Sequence, residues 1–114
     1  MNYFGFAVAD SMFSKLGNCS IRRTTLTADS VREMAAQGKL TPCLNPSHIA
    51  TISAMRQRFN INLGIPEKPP IVSLDHGDSV IVMSVRGLPR LTDRHEYTPE
   101  EVAAASFEFA MYSV

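Results

Sequence analysis

The chain contains one almost continuously apolar run, Ser79-Val80-Ile81-Val82-Met83-Ser84-Val85, which ends at Arg86. An uninterrupted apolar run rich in β-branched residues is typical of a strand that is covered on both faces. A strand with one face in water alternates apolar and polar residues instead. We therefore predict a strand over Ser79–Arg86 in the centre of a sheet.

The residues before this run predict a hairpin. Asp75-His76-Gly77-Asp78 is a turn sequence with glycine in place, and Pro70–Leu74 before it has the composition of a strand. The segment Gly64–Pro70 is rich in proline and predicts a loop within a domain.

Other local patterns predict the remaining elements. Thr27 is a good N-cap, and Thr98 with Glu101 forms a capping-box sequence. The predicted helices are Ala28–Gln37, Asn45 to about Phe59, and Thr98 to about Ala105. The predicted further strands are Tyr3–Ala9, Cys19–Leu26 and Phe107–Ser113, the last with one buried face. Together these elements predict an α/β (α+β) fold, one domain over residues 1–114 with a single mixed sheet of about five strands flanked by about three helices.

Composition limits the partners of the protein. The 114 residues carry eleven Lys and Arg against eleven Asp and Glu, so the net charge of zero argues against binding to duplex DNA. No apolar run approaches the roughly 18 residues that span a bilayer, and the start of the chain lacks a secretory signal. Two cysteines are too few for a disulfide scaffold. We expect a cytoplasmic protein without a membrane partner.

Of the three histidines, His48 has the most informative surroundings. His48, His76 and His95 stand on separate elements without the spacing of a zinc site, so we expect no metal and no cofactor. In Asn45-Pro46-Ser47-His48, asparagine predicts an N-cap and proline the first helical position. A helix start offers free N–H groups to an anion, and Ser47 and Thr51 add hydroxyl groups there. The plainer interpretation is that these residues only satisfy the helix end.

The same helix carries an apolar seam formed by Ile49, Ile52, Met55 and Phe59. Arg86 is the second candidate for binding an anion. It follows seven uncharged residues, so its guanidinium emerges at the end of the predicted central strand, where it could bind a phosphate bidentately.

Several short motifs together resemble a known family. Val8-Ala9-Asp10-Ser11 ends the first predicted strand, Ser47-His48-Ile49-Ala50-Thr51 opens a helix, and Gly77–Val82 leads to Arg86-Gly87-Leu88-Pro89. This order resembles the small viral and prokaryotic ring nucleases, whose viral members act as anti-CRISPR proteins against type III immunity. The resemblance covers nearly the whole chain.

Individual positions match the motifs of that family. His48 and Thr51 match its Gly-His-x-x-Thr run with Ser47 in place of the glycine, Gly77-Asp78 matches its Gly-Asp, and Arg86 matches its arginine after the central strand. The resemblance implies metal-independent cleavage of a cyclic oligoadenylate, most of all the four-membered ring, to linear products that end in a 2′,3′-cyclic phosphate. Such cleavage would switch off type III CRISPR signalling.

The resemblance also implies roles for residues. His48 would be the general acid, Arg86 and the N–H groups near Ser47 would stabilise phosphate charge, and Ser11 and Thr51 would position the ligand. The predicted ligand-binding residues are Asp10, Ser11, Asn45, Ser47, Thr51 and Arg90. Because a four-base ring is wide for one 114-residue domain and has two-fold symmetry, we expect a homodimer with one His48 from each subunit.

Two departures from the family keep other functions open. Asp10 stands where the family commonly has asparagine, and Gly87–Leu91 lacks the acidic residue of its Arg-Leu-x-Glu-Gly segment. One alternative is a non-catalytic anti-CRISPR protein that sequesters a cyclic nucleotide or blocks a CRISPR effector. Another is a structural phage protein that uses the predicted strand Phe107–Ser113 for assembly.

Overall fold

A five-stranded mixed sheet organises the molecule, as a computed structural model that describes residues 1–92 and 94–114 shows. The strands are β1 (Asn2–Gly5), β2 (Arg22–Leu26), β3 (Thr41–Pro42), β4 (Ser79–Arg86) and β5 (Ser106–Ser113). They lie in the order β2-β5-β4-β1-β3, so the predicted central position of Ser79–Arg86 is confirmed. The β1 strand runs parallel to β3 and β4, whereas β5 is antiparallel to both β4 and β2.

Helices complete the fold. Three α-helices are described, α1 (Ala28–Ala36), α2 (Ile49–Phe59) and α3 (Pro99–Ala104). A long 3₁₀ helix spans Asp10–Leu16, and a short one, Pro46–His48, leads directly into α2. The predicted α+β class with one mixed sheet is therefore confirmed. No helix among the described residues is both long enough and apolar enough to cross a membrane.

Both faces of the sheet are covered. On one face α1 and α2 pack through Val31, Ile52 and Met55 against Ile81 and Met83 of β4. On the other face the buried residues are Phe13, Val72, Leu74, Val80, Val82 and Ala110. Alternate residues of β4 therefore enter two different apolar clusters, which explains its almost continuous apolar sequence.

The burial of β5 differs from the prediction. It was expected to bury one face, but the consecutive residues Phe109 and Ala110 are both buried, one in each apolar cluster. Its neighbours β2 and β4 hold it inside the sheet, so both of its faces are covered near the middle of the strand.

The predicted hairpin before β4 is wrong. Residues 70–74 form no strand, although they bury Val72 and Leu74 and expose Ile71 and Ser73 as a strand would. From Ser79 to Val82, where a hairpin would pair, both edges of β4 are taken by β1 and β5, so this extended segment covers the sheet without pairing in it. The turn at Asp75–Asp78 does form, with the Asp78 N–H donating to the Asp75 carbonyl over 3.0 Å.

Two other boundaries are shorter than predicted. The first strand ends at Gly5 and not at Ala9, and the second begins at Arg22 and not at Cys19. Asp10 and Ser11, predicted at the end of the first strand, instead open the long 3₁₀ helix, which buries Phe13 against the sheet. The apolar seam of α2 is also shorter, because Ile49 is 45% exposed.

The predicted caps are confirmed. The Thr27 hydroxyl accepts a hydrogen bond from the Ser30 N–H, and Thr98 and Glu101 form a complete capping box at the start of α3. Glu101 also pairs with Arg94 through two contacts of 2.5 and 2.6 Å. The Arg94 guanidinium, followed by the Thr98 N–H, lowers the pKa of Glu101 from 4.5 to about 2.

This ion pair predicts a pH dependence. Because the pKa of Glu101 is lower in the folded chain, its stabilising contribution is complete above about pH 4.5 and is lost as the pH falls toward 2. A ¹³C NMR titration of the Glu101 carboxyl group should give a midpoint near 2. In Arg94→Gln the midpoint should move toward the ordinary value, and an unchanged midpoint would exclude Arg94 as the main cause.

Candidate functional site

The eight predicted site residues all lie on segments that follow, or end, three parallel strands. Asp10 and Ser11 follow β1, Asn45, Ser47, His48 and Thr51 follow β3, and Arg86 and Arg90 end and follow β4. Since the carboxyl ends of parallel strands meet at one edge of a sheet, these segments share one end of the molecule. In open sheets of this kind, ligands bind outside the carboxyl ends of the strands.

Two cavities lie at this end of the sheet. The first, of about 210 Å³, is lined by Gly5, Phe6, Ala7, Met12, Cys43, Leu44, Asn45, His48, Val72 and Val80. The second, of about 460 Å³, is lined by Phe6, Ala7, His48, Thr51, Met83, Ser84 and Val85. His48, Phe6 and Ala7 line both cavities, so His48 stands on the wall between them.

The local sequence explains the position of His48. It ends the short 3₁₀ helix and is the residue before α2, where its side chain makes no capping hydrogen bond. The ring is exposed and lies against Phe6, with centroids 6.0 Å apart and planes inclined by 50°. No hydrogen bond joins the His48 ring to the described residues, so the ring nitrogens can reach a ligand.

Backbone groups near Ser47 are less available than predicted. The Ser47 N–H donates to Asn45 Oδ1 over 2.9 Å, and the His48 N–H donates to the Asn45 carbonyl over 2.9 Å. Asn45 is therefore the predicted N-cap, but its cap closes a 3₁₀ turn. These two N–H groups are satisfied within that turn and do not face a phosphate, which corrects their predicted role as charge stabilisers.

The other candidates lie around the cavities without lining them. Ser47 is exposed on the short 3₁₀ helix, and Asp10 and Ser11 are exposed in the first turn of the long one. Arg86 is exposed at the end of β4, where the alternation of side chains places it on the face of the sheet that carries Val80 and Val82. Arg90 is exposed in the irregular segment that follows.

Arg56 and Arg58 have structural partners. The Arg56 guanidinium donates to the Leu63 carbonyl over 2.8 Å, and that of Arg58 donates to the Ala103 carbonyl over 3.0 Å. Both therefore fasten α2 to neighbouring segments. Arg86 has no such contact among the described residues and keeps its side chain available at the strand end.

The sequence did not predict two of the residues that line the cavities. Phe6 was predicted within a buried strand, but β1 ends before it and its ring faces the cavities. Cys43 follows β3, a two-residue strand that no sequence pattern predicted. Burial raises the pKa of the Cys43 thiol, which therefore stays protonated near neutral pH.

His48 is consequently the residue in these walls that is suited to proton transfer. Of the residues that the structure describes, His48 and Cys43 are the ionisable ones that line the two cavities. An imidazole ring can donate or accept a proton through its two nitrogens, whereas burial raises the pKa of the Cys43 thiol. Among the described residues, no three His, Cys, Asp or Glu side chains gather as metal ligands.

Comparison with known proteins places the fold next to a viral protein. No protein-family model and no curated protein matches the sequence. Among solved structures, the chain is similar to B116 of Sulfolobus turreted icosahedral virus, with a TM-score of 0.71 and 14% sequence identity. The alignment covers 99% of this chain and 98% of that protein. At this identity the likeness shows that the two chains share one fold over nearly their whole length.

Proposed function

We propose that the protein is a ring nuclease, a metal-independent phosphodiesterase that opens a cyclic oligoadenylate, most of all cyclic tetra-adenylate. The observation that carries this proposal is the position of His48 between two cavities at the carboxyl ends of β1, β3 and β4. Its support is the match of His48, Thr51 and Arg86 to the motifs of that family. The similarity to the fold of a viral protein supports a viral origin, and a role against type III CRISPR signalling is part of the proposal.

The reaction needs little from the protein because the substrate carries its own nucleophile. A ribose 2′-hydroxyl attacks the adjacent 3′-phosphate, its proton passes to solvent, and the bond from phosphorus to the 5′-oxygen breaks. His48 donates a proton to that leaving oxygen. The products are a free 5′-hydroxyl and a 2′,3′-cyclic phosphate. No water is added, so atoms and charge balance in this step.

The remaining roles follow from position. Thr51 lines the second cavity on the first turn of α2, one helical turn from His48, and would hold the ribose or the phosphate. Arg86 brings a free guanidinium to the end of β4 and would stabilise the charge of the phosphate. Asp10, Ser11, Asn45, Ser47 and Arg90 complete the proposed ligand surface at the same end of the sheet.

The experiment that tests this function is cleavage of labelled cyclic oligoadenylates of three to six units in EDTA. We expect the four-membered ring to be cleaved fastest. Binding of the same rings is measured in parallel by a filter assay. Tight binding without product would contradict the proposed reaction and favour sequestration.

We further propose a homodimer that shares one ring, because the proposed ligand has two-fold symmetry and a C2 dimer presents one His48 from each subunit. Light scattering at micromolar concentration should give about twice the chain mass of 12.6 kDa. A single chain mass, with and without the ring, would contradict the dimer.

A second candidate function is supported by the cavity walls. Most of the first cavity is apolar, and no carboxylate of the described part of the chain lines either cavity; the apolar residues of the first are Gly5, Phe6, Ala7, Leu44, Val72 and Val80. Such apolar walls could bind an aromatic base in a protein that does not cleave the ring. A protein that sequesters the messenger would bind the ring tightly and release no product, whether His48 is present or replaced by alanine.

A further inference from the structure

The β4 strand extends beyond its parallel neighbour. The last pair between β1 and β4 is Gly5 with Val82, whereas β4 continues to Arg86. On its other edge β4 stays paired with β5 to the end, from Ser79 opposite Ser113 to Arg86 opposite Ser106. Within residues 1–92 and 94–114, no strand pairs with β4 beyond Val82 on the side that β1 has left, so that edge is free.

Hydrogen bonds at the start of β4 show which residues point to this edge. The Ser79 N–H donates to the Met1 carbonyl over 3.0 Å, toward β1, and the Asp78 carbonyl accepts from the Val114 N–H over 3.3 Å, toward β5. The backbone N–H and C=O groups of successive strand residues point to opposite edges of the strand. In β4, those of the odd-numbered residues therefore point toward β1. The free edge thus begins with the Met83 carbonyl and the Val85 N–H.

These two groups open onto the second cavity. It is lined by the consecutive residues Met83, Ser84 and Val85, whose side chains alternate between the faces of the sheet, so the cavity meets the strand along its edge. Within the described residues, no backbone hydrogen bond outside the regular elements reaches Met83 or Val85. An acceptor and a donor therefore lie side by side next to His48.

We propose that this edge reads the base of the ligand, and that the base it accepts is adenine. The exocyclic N6 amino group of adenine donates and the adjacent ring nitrogen N1 accepts, which complements the Met83 carbonyl beside the Val85 N–H. Phe6, on the wall of the same cavity, offers an aromatic surface for the base. This inference rests on the proposed function for the identity of the ligand.

The cavity fits a base better than an added peptide strand. Its volume of about 460 Å³ is within the roughly 300–1,000 Å³ typical of small-molecule sites. The chain of β1 continues into Phe6 and Ala7, which line the cavity themselves, so the line along which a new strand would pair is partly occupied. The free edge is also only four residues long, from Met83 to Arg86.

The test compares two nucleotides that differ in the base atoms expected to contact Met83 and Val85. AMP and IMP share ribose and phosphate, but in IMP the six-position accepts and N1 donates, which opposes both groups of the edge. We expect AMP to shift the ¹⁵N–¹H signal of Val85 in the wild-type protein, and IMP to bind about 5- to 150-fold more weakly. A blocked tetra-alanine peptide is the third probe.

Each outcome has one meaning for the inference. Equal affinity for AMP and IMP, or AMP binding without a change at Val85, would overturn it. A shift of the Val85 signal with the peptide and none with AMP would identify the edge as a peptide site instead. These measurements require no turnover. A base-selective shift without ring cleavage would contradict the proposed reaction but support base recognition at the edge of β4.

The aromatic wall has its own variant and control. Phe6→Leu keeps an apolar side chain and removes the ring, so AMP should bind about 5- to 100-fold more weakly. Tyr112→Leu removes another half-buried ring, one that lies beside Arg23 at the opposite end of β4 from the second cavity, and should leave AMP affinity unchanged. Retained dispersion of the amide spectrum shows that both variants fold. Unchanged affinity in Phe6→Leu would exclude stacking on this ring.

Discussion

Replacing His48 by alanine is expected to lower the rate of cyclic tetra-adenylate cleavage by about 10²- to 10⁴-fold, the range for loss of a general acid. The leaving 5′-oxygen would then have to depart without a proton from the protein. Binding of the ring should be retained, because the second cavity keeps Phe6, Thr51 and the edge of β4. Single-turnover cleavage and filter binding measure the two effects separately.

His76→Ala is the matched control for this variant. His76 lies in the turn before β4, at the opposite end of that strand from the second cavity, and it is exposed as His48 is. Cleavage by His76→Ala should equal that of the wild type. A wild-type rate in His48→Ala, or an equal loss in both variants, would remove His48 from the reaction.

The largest effect on stability is expected for Ile81→Ala. Ile81 is fully buried in the middle of β4, among Phe4, Met55 and Phe109 of the cluster beneath α2. An alanine there would leave a cavity in a packed core and should lower the free energy of unfolding by about 2–5 kcal/mol. Domains of this size are stable by only about 5–15 kcal/mol, so the loss would be a large share.

Ile71→Ala provides a control with the same change of side chain. Ile71 is 96% exposed in the extended segment before the turn, so its truncation should alter the free energy of unfolding by less than about 0.5 kcal/mol. Urea denaturation of the two variants measures the difference. Similar midpoints would show that β4 is not the centre of the core.

Sequence patterns located the elements whose signals are local. The apolar run of β4 and the caps at Thr27 and Thr98 depend on neighbouring residues alone, and each forms as predicted. The failure at residues 70–74 has a non-local cause. Their alternation of buried and exposed side chains is real, but pairing depends on which edges of β4 are free, and that depends on β1 and β5.

The candidate site was predictable to a similar extent. Asn45-Pro46-Ser47-His48 marked a helix start, and the structure puts His48 at two cavities. The pattern did not show that Asn45 would satisfy the nearby N–H groups, since a 3₁₀ turn and an α-helical turn begin with the same residues. The free edge of β4 had no signal in the sequence, because it exists only where β1 stops short of its neighbour.

The most direct test of His48 as an acid in a metal-independent ring nuclease is the product of wild-type protein with labelled cyclic tetra-adenylate in excess EDTA. Mass spectrometry should find linear adenylates that end in a 2′,3′-cyclic phosphate, formed at a rate that falls in His48→Ala and not in His76→Ala. An intact ring after prolonged incubation, with the protein folded and the ring bound, would contradict the proposed reaction.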